Sequence, residues 1–359
     1  MPYVVPFTTS RWTEMVREVV IVELRTTDGV TGWGECTAPK VPGYCYETYK
    51  TNWVILEDFI VPALLSAEIN SISDYEGLVS HITWHNMAKA GPQLALWDIF
   101  GKRENRSLQE MIGGSGERVK VGVSVGIQDT PKKLLEVVEG YLADGYARIK
   151  LKVRPGRDLS EIDVVRQHHP KVMLQVDGNS VYRLDDLEHL KEFDQYDLLL
   201  IEQPFAQDDI IDHAKLCPRL RTPVCLDESI TSLKHAQWAI ELGAAKIINI
   251  KPPRVSGISE AIRIHDYCRQ NDIPVWMGGM IEAGIGRAAN AAVASLPGFS
   301  LPGDISASSR YYREDLVEEP LTINADSTMT VPTGPGLGIA INSKVLDRVT
   351  VHRETFRAH

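Results

Sequence analysis

Across residues 120–306, short β-branched runs alternate with longer stretches in which apolar residues recur every three or four positions, the pattern of repeated βα units. The strand-like runs start at Val119 (VKVGVSVG), Arg148 (RIKLKV), Val172 (VMLQVDG), Leu198 (LLLIEQP), Val224 (VCLDES), Lys246 (KIINIKP) and Pro274 (PVWMGGM), with a weaker eighth at Leu301 (LPGDIS). Between them lie helical patterns such as TPKKLLEVVEGYLADG, which opens on a Thr cap and a Pro and stops at a Gly. Seven or eight such units predict a closed parallel barrel. An open doubly wound sheet, the competing α/β architecture, rarely carries so many even units, and no G-x-G-x-x-G opens the first helix.

The first 115 residues read differently. VVIVELRTTDGVTGWGE predicts two strands joined by a turn at Asp28 and Gly29, followed by helices in NWVILEDFIVPALL and GPQLALWDIFGKR. The expectation is an α+β domain over residues 1–115, a barrel over 116–319, and a tail over 320–359 that folds back onto the first domain. The tail contains TGPGLG, too irregular for a helix.

Composition narrows the class. With 43% hydrophobic and 24% charged residues over 359 positions, the chain can bury a large core, which excludes a disordered chain or a disulfide-stapled miniprotein. A net charge of −10 argues against a nucleic-acid partner. No apolar run reaches membrane-spanning length, and the start, MPYVVPFTTSRW, lacks a basic segment followed by an apolar one, so no membrane partner and a cytoplasmic location are expected. The five cysteines are scattered without a C-x-x-C pair and read as reduced thiols.

The candidate chemistry lies at the strand ends. Lys152, Asp177, Glu202, Asp227 and Lys251 follow one another at intervals of 25, 25, 25 and 24 residues, about one βα unit each. That spacing predicts five charged groups at one height on successive strands, at the C-terminal mouth where barrel enzymes keep their sites. Three neighbouring carboxylates repel unless a cation neutralises them, and oxygen donors without nearby His or Cys favour a hard ion, Mg²⁺, with Mn²⁺ as a substitute. The lysines fall on the second and sixth strands, opposite one another in an eight-membered ring. In RIKLKV, Lys150 and Lys152 share one face while Ile149, Leu151 and Val153 share the other, so the charged face points inward. The same parity sets Asn249 beside Lys251, and Gln175 and Asn179 with Asp177. Lysine bases on two faces of a metal-held carboxylate substrate fit abstraction of its α proton through an enediolate; proton return on the other face is racemisation, and loss of a β-substituent is elimination.

The motifs K-x-K at Lys150 to Lys152, VDGN, IEQP, LDES and NIKPPRVSG resemble the enolase superfamily, in its muconate-lactonizing-enzyme-like subgroup. WMGGMIEAGIGRAANAAVASLPGFSLPGDISASSRYY, with PFTTSRW, GWGEC and NMAKAG, is similar to the o-succinylbenzoate synthase and N-acylamino-acid (N-succinylamino-acid) racemase family over nearly the whole chain. The resemblance implies a (β/α)7β barrel under an N-terminal α+β cap, Mg²⁺ on Asp177, Glu202 and Asp227, and Lys152 and Lys251 as the acid/base pair. It implies dehydration of a cyclohexadiene carboxylate to o-succinylbenzoate in menaquinone synthesis, with Lys152 as base and Lys251 stabilising the enediolate. It also implies racemisation of N-acylamino acids, with both lysines exchanging protons. Arg254 matches the arginine of racemase-capable members; Ser124, Lys150, Asn179, Gly279, Met280 and Ile281 are the expected substrate-binding positions. A homo-oligomer acting on a small carboxylate is expected.

Other residues weigh less. Family members carry about a dozen more residues before the segment equivalent to VVPFTTS, so the first cap strand is expected to be missing and the loop over residues 7–12 to be less firmly placed. A dipeptide epimerase is expected to show Asp-x-Asp on the eighth strand, where this chain has Asp304, Ile305 and Ser306. Asp304 either joins the ligands or caps a helix. Glu228 is expected behind the site, orienting a lysine, and Glu35 reads as an ordinary turn carboxylate. His81 and His85 stand four apart without the general base of a zinc motif.

Overall fold

The computed structural model describes residues 1–9 and 12–358. In the N-terminal part, β1 (Pro2–Thr8) pairs antiparallel with β2 (Thr13–Val16), and β3 (Val20–Arg25) with β4 (Thr31–Cys36). The β3–β4 turn spans residues 26–30, closed by the Val30 carbonyl accepting from the Thr26 amide, with Gly29 at φ +89°. A positive φ there is what the Asp-Gly pair supplies. Four helical stretches follow, the longest being Asn86–Glu104.

That helix lies so close to β4 that only glycine fits between them. A Cβ on Gly34 would stand 1.9 Å from the Gly91 carbonyl oxygen, and one on Gly91 would stand 2.3 Å from Cys36 Sγ. GWGEC and NMAKAG are therefore two halves of one backbone-to-backbone contact.

After β5 (Arg118–Lys120), seven parallel strands follow in ring order: β6 (Val123–Val125), β7 (Arg148–Lys152), β8 (Met173–Asp177), β9 (Ile201–Glu202), β10 (Val224–Leu226), β11 (Ile247–Ile250) and β12 (Val275–Met277). The weak eighth run closes the ring with few bonds. Phe299 bridges to Val275, Gly303 bridges to Val121, and the Asp304 amide donates to the Met277 carbonyl. The expected (β/α)7β barrel with an N-terminal α+β cap is the observed fold.

Alternation sorts the strand residues as the sequence implies. Ile149, Leu151 and Val153 pack outward with Leu134, Val138, Ile162 and Val165 of the surrounding helices. Leu200, Cys225, Ile247 and Trp276 form an apolar layer inside the barrel, beneath the polar mouth.

Two buried cap carboxylates serve helix starts, Glu47 within the cap itself and Glu35 across to the barrel. His85 and Ala283 give their helices no side-chain cap. Glu47 instead accepts from the amides of Met87 (3.0 Å) and Ala88 (3.1 Å). Glu35 accepts from the amides of Ala283 and Gly286, both at 2.9 Å. Carboxylates suit helix N-termini because they meet orphan N–H groups and the positive end of the dipole. Glu35 is therefore no ordinary turn residue but a joint between cap and barrel. Asn86 adds another joint, its Nδ2 donating to the carbonyls of Thr231 (3.0 Å) and Arg254 (2.8 Å). The tail bonds to both units: β13 (Thr328–Thr330) pairs with β5, while the Gly336 carbonyl accepts from the Leu108 amide at 2.7 Å.

Gly34→Ala should cost about 3 kcal/mol or more through overpacking against the helix. Urea unfolding measures this, and a midpoint equal to that of the unmodified protein would refute the contact.

Candidate active site

Register explains how the five charged residues meet. Lys152 is level with Asp177, and Asp177 with Glu202. Cys225 is level with Glu202, which sets Asp227 two residues further along, and Leu226 is level with Ile248, which sets Lys251 another two along. Strands in a closed barrel tilt, so an eight-strand ring with shear 8 needs an average advance of about one residue per strand to stay at one height. Four steps of zero, zero, two and two residues meet that average.

The groups form a buried ion network. Lys152 Nζ donates to Asp177 Oδ2 at 2.5 Å. Lys150 Nζ donates to Glu202 Oε2 at 2.9 Å, lies 3.4 Å from Asp177, and pairs with Asp304. Asn249 Nδ2 donates to Glu202 Oε1 at 2.7 Å. Lys251 Nζ donates to Asp227 Oδ2 at 2.7 Å, and Arg254 pairs with the other oxygen of Asp227. Among the described residues, no three His, Cys, Asp or Glu side chains gather as a ready metal cluster; each of these carboxylates instead faces its own cation.

Electrostatics follow from that pairing. Burial and the neighbouring Asp177 push the Glu202 carboxyl up to about 8, with Lys150 opposing them. Burial also acts on Asp177, but Lys152 and Lys150 outweigh it and hold that carboxyl below its usual range. Asp227 is held low in the same way by Lys251 and Arg254 against burial. Lys150 is desolvated, yet Asp304, Glu202 and Asp177 keep it well above the ordinary lysine range. It is a fixed cation.

The remaining sequence candidates occupy definite places. The Asn179 amide donates to Asp177 Oδ1 at 2.9 Å, and its Nδ2 donates to Glu228 Oε1 at 3.0 Å. Glu228 thus bonds Asn179 rather than a lysine. Ser124 Oγ donates to Asp304 Oδ2 at 3.2 Å. Asp304 caps no helix: it is the ion partner of Arg148 (2.7 Å) and Lys150, just inside the mouth. The Arg254 guanidinium is buried and committed to the chain itself, donating from Nε to the Ile230 carbonyl at 2.6 Å and from Nη2 to that of Asn249. Met280 packs with Ala38, Tyr44 and Met87 of the cap. Gly279 and Ile281 flank it, with Ile281 at φ +59°.

Tyr44 is the member that the sequence does not reveal. It comes from the cap loop after β4, donates from Oη to Asp227 Oδ1 at 2.8 Å, and accepts from Lys251 Nζ at 3.2 Å. The lysine also sits 4.5 Å from the centre of its ring. VPGYCYET has no periodicity that would mark one tyrosine over the other. Of the 7–12 loop, Ser10 and Arg11 lie outside the described residues. Trp12 lies so near Gly43 that a Cβ there would stand 2.5 Å from its ring.

Comparison with known proteins agrees with this architecture. Residues 1–113 match the family model of the mandelate racemase / muconate lactonizing enzyme N-terminal domain, and residues 133–345 match the enolase C-terminal domain-like model. An o-succinylbenzoate synthase from Geobacillus kaustophilus is 45% identical over 98% of this chain and 93% of its own. An N-succinylamino acid racemase from an Amycolatopsis species is 47% identical over 98% of this chain and 95% of its own. A crystal structure of an enolase-superfamily member from Listeria innocua superposes with a TM-score of 0.93 at 42% identity, covering 97% of this chain and 94% of that one.

Lys150→Met should destabilise the protein by about 3–5 kcal/mol, the usual cost of stranding buried charges when one partner is removed. The expected result is a lower urea midpoint in metal-free buffer, and a loss under about 0.5 kcal/mol would deny Lys150 its place at the centre of the network.

Proposed function

The chain belongs to the o-succinylbenzoate synthase / N-succinylamino acid racemase family of the enolase superfamily, and from that membership we propose a Mg²⁺-dependent enzyme that removes the proton α to a carboxylate. Its reactions are dehydration to o-succinylbenzoate, as in menaquinone biosynthesis, and racemisation of N-acylamino acids. The observation that carries this reading is the pair Lys152 and Lys251, four strands apart in a ring of eight, each ion-paired to a carboxylate at the same mouth. In this reading residues 1–115 and 320–359 enclose the substrate and residues 116–319 form the catalytic barrel. The enzyme works as a cytoplasmic homo-oligomer on a small carboxylate, without a nucleic-acid or membrane partner. No helix among the described residues is long and apolar enough to cross a membrane.

The donor set suits the cation. Asp177, Glu202 and Asp227 offer only oxygen atoms, and Glu202, pushed up first by burial and then by Asp177, has a carboxylate neighbour whose charge a hard cation would offset. These three residues would hold Mg²⁺, which supplies positive charge beside the substrate carboxylate and so eases loss of the α proton.

The chain's own groups do the rest. Lys152 takes the α proton on one face of the substrate. In racemisation Lys251 returns a proton on the other face, and the roles reverse for the opposite enantiomer. In dehydration Lys152 takes the α proton, Lys251 stays an ammonium that stabilises the enediolate, and the β-hydroxyl departs as water with the proton that Lys152 has taken. Arg254 acts through Asp227, and Tyr44 through Asp227 and Lys251, to which each is bonded. Ser124, Lys150, Asn179, Gly279, Met280 and Ile281 line or support the substrate pocket. Dipeptide epimerisation is disfavoured because Asp304 is engaged by Arg148 and Lys150 rather than open to a substrate ammonium.

Lys152→Ala and Lys251→Ala should each abolish racemisation of N-succinyl-phenylalanine, followed by polarimetry, while circular dichroism remains unchanged. Racemisation retained by both variants would remove them from the acid/base roles. In the unmodified protein with Mg²⁺, comparable kcat/KM for dehydration and for racemisation is expected. Activity in racemisation alone would make it a dedicated racemase.

A further inference from the structure

The pocket wall at residues 279–281 rests on a turn that is strained and heavily pinned. Ile281 has φ +59°, a left-handed conformation that costs a β-branched residue about 1–3 kcal/mol and persists only when its surroundings over-determine it. The Met280 carbonyl accepts from Arg17 Nη2 at 3.0 Å, and the Ile281 carbonyl from Tyr312 Oη at 2.6 Å. The Met280 amide donates to Glu282 Oε1 at 2.9 Å, and the Gly284 amide to Asp315 Oδ1 at 2.7 Å. Glu35 completes the set from β4 through the Ala283 and Gly286 amides.

Glu35 differs from the other anchors in its cost. It is 2% exposed and, among the described residues, has no cation within ion-pair distance. Burial pushes its carboxyl up to about 7, Glu282 pushes it further up, and the two amides and the more distant Arg17 charge pull it back. A buried carboxylate of this kind is tolerated where it satisfies backbone donors that nothing else reaches.

We infer that Glu35 is a positioning residue for the substrate pocket, tying the strained turn after β12 to the cap so that the wall of Gly279, Met280 and Ile281 holds its shape only while cap and barrel are docked. This rests on the proposed function in taking those three residues as the pocket wall. Glu35 touches no reacting atom. When its two bonds are lost, Ile281 relaxes out of the left-handed region and carries Met280 away from Tyr44 and Met87.

The test is Glu35→Gln, whose amide offers one acceptor where the carboxylate offers two. Hydrogen exchange of the peptide over residues 278–286 should quicken by about ten-fold or more, the scale of losing one charge-assisted bond. KM for N-succinyl-phenylalanine should rise about ten-fold while kcat changes less than about three-fold, since affinity and not the lysines is altered. In an Ile281→Gly background, where the positive φ carries no strain, the added effect of Glu35→Gln on KM should shrink to less than about two-fold. Unchanged exchange over 278–286, or an equal KM effect in both backgrounds, would overturn the inference. If Glu35→Gln does not fold, Glu35→Asp, one methylene short of the two amides, is read by the same measurements. If the unmodified protein turns over neither substrate, the proposed function fails, and the exchange experiment alone decides the role of Glu35.

Discussion

Charge buried at the barrel mouth has to be neutralised from within, and much of the structure is arranged around that constraint. Asp177, Glu202, Asp227 and Asp304 are matched by Lys150, Lys152, Lys251, Arg148 and Arg254, nearly all of them out of solvent. Paired in this way the charges are tolerable; singly, each would carry a large desolvation cost. The same pairing leaves Lys152 and Lys251 four strands apart, with Asp177, Glu202 and Asp227 on or just beyond the three strands between them. Lys150 belongs to the frame. It touches three carboxylates at once, so its charge is locked, and it shapes the field in which Lys152 works.

The cap is held by related physics. Two helices start without side-chain caps of their own, and each borrows a buried carboxylate from the cap, Glu47 or Glu35. Glu47 does this within the cap, whereas Glu35 does it across the seam, where docking satisfies barrel backbone donors that would otherwise be orphaned. Docking also delivers Tyr44 to Asp227 and Lys251. Tyr44, which reaches Asp227 and Lys251, and Glu35, which ties the cap to the barrel, lie nine residues apart in one short stretch of the cap.

Under the proposed function one pair of lysines serves both elimination and racemisation, and substrate choice falls to the residues around it. Met280 packs against Ala38, Tyr44 and Met87 of the cap, and Ile281 beside it is held at φ +59°. Enzymes of one fold commonly diverge in the loops around the site while keeping the reacting groups.

The ring of lysines and carboxylates was legible in the chain because a βα repeat converts linear spacing into angular position, so an interval of 25 residues means one strand. Inward and outward faces were legible from strand alternation, and the β3–β4 hairpin from its Asp-Gly turn. The roles of Tyr44, Glu35 and Asp304 were not, since their partners are remote in the chain. Asp227 stands 183 residues from Tyr44, Ala283 stands 248 from Glu35, and Asp304 meets Arg148 across the closure of the ring. Periodicity reports only which face of its own element a residue occupies. The sequence by itself therefore determined the barrel, its cap and the ring of lysines and carboxylates at its mouth, all products of local pattern repeated at a regular interval. Only the tertiary structure decided which carboxylate meets which cation and which cap residue enters the site, because those contacts depend on how two separately patterned units dock.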